Sequence, residues 1–168
     1  NVYQKINSSQ NTYQQKYIKN TTANDLIDFS NFIILSGTGG LGKSMMMRHL
    51  LLDTIKNYEK TNRIPVFISL KDINGNIENF VEYIYKVFNS LDSKNDISKF
   101  EELLCNGDFI LLFDGLDEIN SSLREQFERN FNTFSDKYSN NMFVISSRPF
   151  ENFISFNRFT VLHLSPFT

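Results

Sequence analysis

One stretch of eight residues constrains this chain more than any other: Gly37-Thr38-Gly39-Gly40-Leu41-Gly42-Lys43-Ser44. It fits the pattern G-x-x-x-x-G-K-[ST], and its flanks are the ones that pattern needs. Before it runs Phe32-Ile33-Ile34-Leu35, a short, apolar, β-branched segment that reads as a buried strand. After it, from residue 43 to about 58, Met46, Leu50, Ile55 and their neighbours recur near helical spacing. Glycines between strand and helix let the backbone curl into a nest of inward-pointing N–H groups, and the helix adds its unpaired first amides and positive dipole end. Such a nest suits phosphate. Lys43 is then placed to reach the β- and γ-phosphates of a nucleotide, and the Ser44 hydroxyl to complete a Mg²⁺ shell.

A second element supports the first. Phe109-Ile110-Leu111-Leu112-Phe113 is continuously apolar, as a strand covered on both faces should be, and it runs into Asp114-Gly115-Leu116-Asp117-Glu118. Asp114 at the strand end is placed where it can hold Mg²⁺, directly or through water. Gly115 permits a sharp turn, after which Asp117 or Glu118 is close enough to orient or deprotonate an attacking water. A third element, Ser146-Ser147-Arg148-Pro149, closes the apolar run Met142 to Ile145. Arg148 suits bidentate recognition of a γ-phosphate.

The remaining text alternates in the same way. Strands are expected over residues 64–70 and 159–164 as well, and helices over 77–91, 97–104 and 121–138, with a short helix ending at Phe29 and capped by Asn24 or Asp25. Strands alternating with helices imply parallel βαβ units, with helices on both faces and ligand chemistry at the strands' carboxyl ends. The fold class is therefore an open α/β sheet. Residues 1–21 have eight Asn or Gln in their first twenty positions and no apolar periodicity, so they read as a polar leader or linker before a core at 22–168.

Composition removes several alternatives. Seventeen Lys+Arg against 19 Asp+Glu give a net charge of −2 with the basic residues scattered, which offers no footprint for nucleic acid. Apolar runs reach about five residues where a membrane helix needs ~20. Cys105 is the single cysteine and has no internal partner, which fits a reducing, cytoplasmic setting. His49 and His163 lack Cys or carboxylate partners at metal spacing, so no zinc is assigned. Met45, Met46 and Met47 read as core packing, and Arg124 and Arg129 as a solvated helix face or an arginine finger acting on a neighbouring subunit.

Five segments together resemble the NACHT branch of the STAND P-loop NTPases: GTGGLGKS, IPVFISLKDI, FILLFDGLDEI, FVISSRP and VLHLSPF, spanning about residue 30 to the end. The D-G-h-D-E form of the acidic strand discriminates best, because general AAA+ ATPases carry D-E without the preceding D-G. The resemblance implies a three-layer P-loop NTPase with a five-stranded parallel sheet of order 5-1-4-3-2, and a switch driven by ATP/ADP and Mg²⁺ that oligomerises on sensing a trigger. Family members act in innate immunity in animals and in antiphage defence in bacteria. By position, Lys43 and Ser44 hold phosphate and Mg²⁺, Asp114 holds Mg²⁺, Asp117 with Glu118 supply the hydrolytic carboxylates, and Arg148 is the sensor. The family continues into a small helical and a winged-helix domain, so the expectation here is the nucleotide-binding core alone, with effector and sensor domains outside these residues.

Two other functions fit the same motifs. One is a module that holds nucleotide as a latch with negligible turnover; the other is an AAA+-type remodeller or loader acting on nucleic acid or protein. A nucleoside monophosphate kinase fits less well, since no arginine-rich lid segment is present. Phosphate and Mg²⁺ contacts do not separate ATP from GTP, and no N-K-x-D box appears.

Overall fold

The computed structural model describes residues 2–7, 13–18, 21–73, 75, 77–89, 96–149 and 153–165. In chain order these form β1 (Val2–Asn7), β2 (Tyr13–Ile18), α1 (Ala23–Phe29), β3 (Phe32–Ser36), α2 (Lys43–Lys56), α3 (Tyr58–Thr61), β4 (Ile64–Ser69), α4 (Phe80–Asn89), α5 (Ile97–Asn106), β5 (Phe109–Asp114), α6 (Ser121–Lys137), β6 (Met142–Ser147) and β7 (Thr160–Leu164). Short 3-10 turns lie at Leu70–Asp72, Leu116–Glu118 and Ile154–Phe156.

The sheet runs β2-β1-β7-β3-β6-β5-β4. Its five strands from β7 to β4 are all parallel and, counted along the chain, stand in the order 5-1-4-3-2. The strand of the phosphate loop, β3, therefore sits centrally between β6 and β7. Pleating sends alternate residues to opposite faces. Ile33, Leu35, Ile110, Leu112, Met142 and Val144 pack with Ala23 and Leu26 of α1 and Met47 and Leu50 of α2. Ile34, Phe109, Leu111, Phe113, Phe143 and Ile145 face the other way, onto Phe80, Phe100, Phe127, Phe131 and Phe134 of α4, α5 and α6. Most of the phenylalanine content is concentrated on this second face, where ring pairs such as Phe113–Phe131, with centroids 5.1 Å apart, meet edge to face.

The first residues form two strands. β1 and β2 pair antiparallel, Val2 opposite Ile18 through Asn7 opposite Tyr13, and β1 joins β7 through Val2↔Leu164 and Tyr3↔His163. This hairpin extends the sheet at its edge by strand pairing. Several element ends also shift. Thr22, not Asn24 or Asp25, caps α1: its hydroxyl accepts from the Asp25 amide at 3.2 Å, and Asp25 Oδ2 accepts from the Thr22 amide at 2.8 Å. Asp53 of α2 accepts from the Ala23 amide at 2.8 Å and ties the two helices together. α2 ends at Lys56, two residues short of the expected end, and Ile55 points outward rather than into the core. α4 begins at Phe80 instead of residue 77, because Asn79 Oδ1 takes the Glu82 amide and starts the helix there. The expected end of that helix, Leu91, lies outside the described residues.

At the base of the sheet, buried Asn141 is fully satisfied. Its amide donates to the carbonyls of Leu104 (2.7 Å) and Tyr138 (2.9 Å), and its Oδ1 accepts from the Phe109 amide (3.0 Å). One side chain thus joins the ends of α5 and α6 to the start of β5. Nearby, the Tyr138 hydroxyl donates to Glu101 Oε1 at 2.6 Å and Lys137 Nζ approaches the same oxygen at 3.4 Å. These two partners, Tyr138 foremost, hold the Glu101 carboxyl below its ordinary range. A lowered carboxyl contributes stability that is present above the ordinary value near 4.5 and is lost as pH falls through the lower folded value. Tyr138→Phe is expected to cost at most about 1 kcal/mol at pH 7, Glu101 being largely solvated. In urea titrations the difference from wild type should shrink as pH falls below the ordinary carboxyl value near 4.5.

Candidate nucleotide site

The carboxyl ends of β3, β5 and β6 lie side by side, and each carries one of the three motifs. The loop after β3 begins where the Gly37 amide donates to the Ser147 carbonyl of β6 at 3.1 Å. Gly40 and Gly42 take the left-handed conformation, with φ of 81° and 77°, a conformation that L side chains seldom adopt. Gly42 is also the N-cap of α2, and no side chain caps that helix. Its positive end is thus left to the loop, the condition under which a helix terminus takes an anion. Thr38, Gly39 and Gly40 are exposed, and Leu41, Lys43 and Ser44 half-buried. Lys43 folds back over the loop, its Nζ donating to the carbonyls of Gly37 at 2.7 Å and Thr38 at 3.2 Å. These carbonyls are neutral acceptors that anionic phosphate oxygens would outcompete.

On β5, Asp114 follows Phe113, whose register partner on β6 is Ile145, so Ser146 lies next to Asp114. The Ser146 hydroxyl, fully buried, donates to Asp114 Oδ1 at 2.5 Å and accepts from the Gly115 amide at 2.9 Å. It fixes the carboxylate and the turn after it in one contact. Ser146 has no role in the sequence reading. The available signal was a hydroxyl at a strand end where every preceding residue is apolar, a buried polar group that must find a partner.

Gly115 turns at φ +90°, and a Cβ there would lie 3.0 Å from Glu118 Oε1, so the bare backbone makes room for that side chain. Leu116 is buried and anchors the turn, and its carbonyl accepts from Arg124 Nη1 at 2.8 Å. Arg124 also pairs with Glu128, so it is tied to its own chain rather than extended toward a neighbour; Arg129 is exposed beside Glu125 at 3.9 Å. The two acidic residues of the turn separate. Glu118 is exposed, whereas Asp117 points to β6, its Oδ1 accepting from the Arg148 amide at 3.0 Å and its Oδ2 lying 3.2 Å from Arg148 Nε. The Arg148 guanidinium reaches the phosphate loop, with Nη2 3.7 Å from a Cβ built on Gly39.

Of the remaining candidates, Met47 is buried and Met46 half-buried, but Met45 is 66% exposed and does not belong to the core expected of all three. Cys105 is exposed near the end of α5. No three His, Cys, Asp or Glu side chains gather as a metal cage among the described residues. A serine hydroxyl and one carboxylate are nonetheless the hard oxygen donors Mg²⁺ prefers, and that ion takes the rest of its shell from water and phosphate. Ser44 and Asp114 fit it on that ground. No helix among the described residues is long and apolar enough to cross a membrane.

The sequence profile of the NACHT domain matches residues 31–167, which takes in every element from β3 to β7. The chain belongs to the NACHT family. The NACHT core is a P-loop NTPase fold. Domain III of the replication initiation protein DnaA from Thermotoga maritima aligns with a TM-score of 0.50 at 16% identity, covering 86% of this chain and 60% of that one. PCH-2 from C. elegans aligns with a TM-score of 0.49 at 12% identity, covering 85% of this chain and 37% of that one. The chain spans less than two thirds of either protein, and at 16% identity the likeness to DnaA domain III is one of fold alone. No curated protein sequence matches it. Family and fold together make this NACHT domain a nucleotide-binding P-loop NTPase.

Proposed function

We propose that this NACHT domain binds ATP and ADP with Mg²⁺ and hydrolyses ATP slowly, as the nucleotide-dependent core of a STAND signalling switch. The observation that carries this reading is that Arg148 reaches over the phosphate loop at Gly39 while Lys43 rests on carbonyls of the same loop. One cation sits at the loop's base and another at its rim, which suits a ligand with a terminal phosphate to be read. In this reading the loop from Gly37 to Ser44 cradles the phosphates, Lys43 exchanges the Gly37 and Thr38 carbonyls for β- and γ-phosphate oxygens, and Arg148 receives the γ-phosphate. Ser44 and Asp114 hold Mg²⁺, which when bound supplies neutralisation of phosphate charge. Hydrolysis adds water to the γ-phosphorus, breaks its bond to the β-phosphate oxygen and passes the water proton to a carboxylate of the Asp117–Glu118 turn. Glu118, exposed and next to Gly115, is the acceptor in this reading.

The resemblance to immune and antiphage NACHT proteins supports a role in defence, with nucleotide state gating self-association of a larger protein in the cytoplasm. Glu118→Gln tests the turnover. Single-turnover hydrolysis is expected to fall by about 10²–10⁴-fold, with Mg-ATP affinity within about threefold of wild type. An unchanged rate would replace the enzyme by the latch. DNA binding that weakens steeply with salt would instead support the nucleic-acid remodeller.

A further inference from the structure

We propose that Asp117 is the positioning residue for Arg148 and not the hydrolytic base, an inference that rests on the nucleotide-site reading above and assigns one of its members a different task. Both oxygens of Asp117 are committed to Arg148: one to its backbone N–H at 3.0 Å, the other to its Nε at 3.2 Å. The side chain of Asp117 is 14% exposed and that of Arg148 65% exposed. The carboxylate is thus a part-buried fixed point and the arginine a long, exposed arm pivoting on it. Without that hold, an exposed arginine samples many rotamers. With it, the arm is held at its root by a hydrogen bond and beside its Nε by an ion pair, and both Nη groups remain for a bidentate partner. The free end of the clamp lies at the phosphate loop, Nη2 being 3.7 Å from a Cβ built on Gly39. Geometry therefore divides the acidic turn: Glu118, exposed, faces solvent, and Asp117 faces the sensor.

The turn that presents Asp117 is itself anchored on the same pair of strands. Ser146 of β6 binds both Asp114 and the Gly115 amide, two residues before Arg148 and three before Asp117. The metal carboxylate, the acidic turn and the sensor arginine therefore share one rigid seam between β5 and β6. A γ-phosphate that engages Arg148 would meet a guanidinium already oriented by Asp117, so loss of Asp117 should appear as loss of ATP-over-ADP discrimination.

Two measurements test this on the 168-residue chain. The first needs no nucleotide: the ¹⁵Nε–¹Hε signal of Arg148 is expected to exchange with water more slowly in the wild type than in Asp117→Asn, because the ion pair holds the Nε–H beside a carboxylate. The second is the ratio of ADP to ATP dissociation constants, by calorimetry with Mg²⁺, for wild type, Asp117→Asn, Arg148→Lys and the double variant. Arg148→Lys keeps the charge but has no Nε–H to clamp, so it approaches the same contact from the other partner. Each single variant is expected to reduce the ATP preference by about tenfold, and the double variant no further, as residues acting through one contact do. A wild-type Nε–H signal and ratio in Asp117→Asn, with collapsed single-turnover hydrolysis and a lost acidic limb in its pH–rate profile, would make Asp117 the base and overturn the proposal. Additive effects in the double variant would overturn it as well. If Lys43→Ala leaves wild-type nucleotide affinity intact, the nucleotide site is wrong, and the Nε–H exchange still decides the clamp.

Discussion

Lys43→Ala should weaken Mg-ATP binding by about 100-fold or more while leaving the fold intact. In the structure the ammonium group donates to two loop carbonyls, Gly37 at 2.7 Å and Thr38 at 3.2 Å, contacts made to neutral acceptors at a part-exposed site. Their loss costs little stability, since solvent reaches the loop and can replace the lysine. The nucleotide loses far more. Each hydrogen bond between charged groups contributes roughly 1.5–3 kcal/mol, so two phosphate contacts correspond to about 3–6 kcal/mol, or about two to four decades in affinity. The check is paired calorimetry and thermal unfolding: affinity collapses, and the melting temperature without nucleotide moves by a few degrees at most. Equal affinity in the two proteins would remove the phosphate loop from the binding site.

The second large effect belongs to the core. Phe131 is fully buried, and its ring meets those of Phe113 at 5.1 Å, Phe127 at 5.7 Å, Phe80 at 5.8 Å, Phe156 at 5.9 Å, and Phe143 and Phe159 at 6.0 Å. It is the hub through which α6 packs on β5, β6 and the segment leading into β7. Phe131→Ala removes its transfer energy and leaves a cavity whose walls are other rings, rigid bodies that collapse poorly. The expected cost is about 3–5 kcal/mol, a large part of the ~5–15 kcal/mol that holds a domain together. The urea midpoint should fall with an unchanged slope, and the melting temperature should drop by roughly 6–20 °C. Phe131→Leu should recover about half of that. A loss below about 1 kcal/mol in the alanine variant would mean that the cluster closes over the gap.

These two effects differ in how far they can be read along the chain. The phosphate loop is a local object, eight consecutive residues whose glycines, lysine and serine each answer a requirement of the same short turn. Asp114 is similarly legible, because an apolar strand that ends in a carboxylate and a glycine announces its own end. Phe131 could be recognised as a buried helix residue, but not as the centre of a cluster, since most of its partners come from four other elements and from Phe159 ahead of β7. The hairpin of β1 and β2 gave no apolar signal, and its place beside β7 joins segments from opposite ends of the chain. Met45 and Ile55 misled in the opposite sense: helical spacing marks a face as apolar, and only the packing of α1 and the sheet decides how wide a face is covered.

Sequence by itself determined the fold class, the motif-bearing ends of three strands and the identity of the residues gathered there, because strand alternation and glycine-rich turns are consequences of neighbouring residues. Tertiary structure alone decided what those residues do to one another. Asp117 and Arg148 are 31 positions apart, as are Gly115 and Ser146. Their contacts exist because β5 and β6 are parallel neighbours in register. Strand order, not local preference, turns one acidic residue of the pair Asp117–Glu118 toward the arginine and leaves the other facing water.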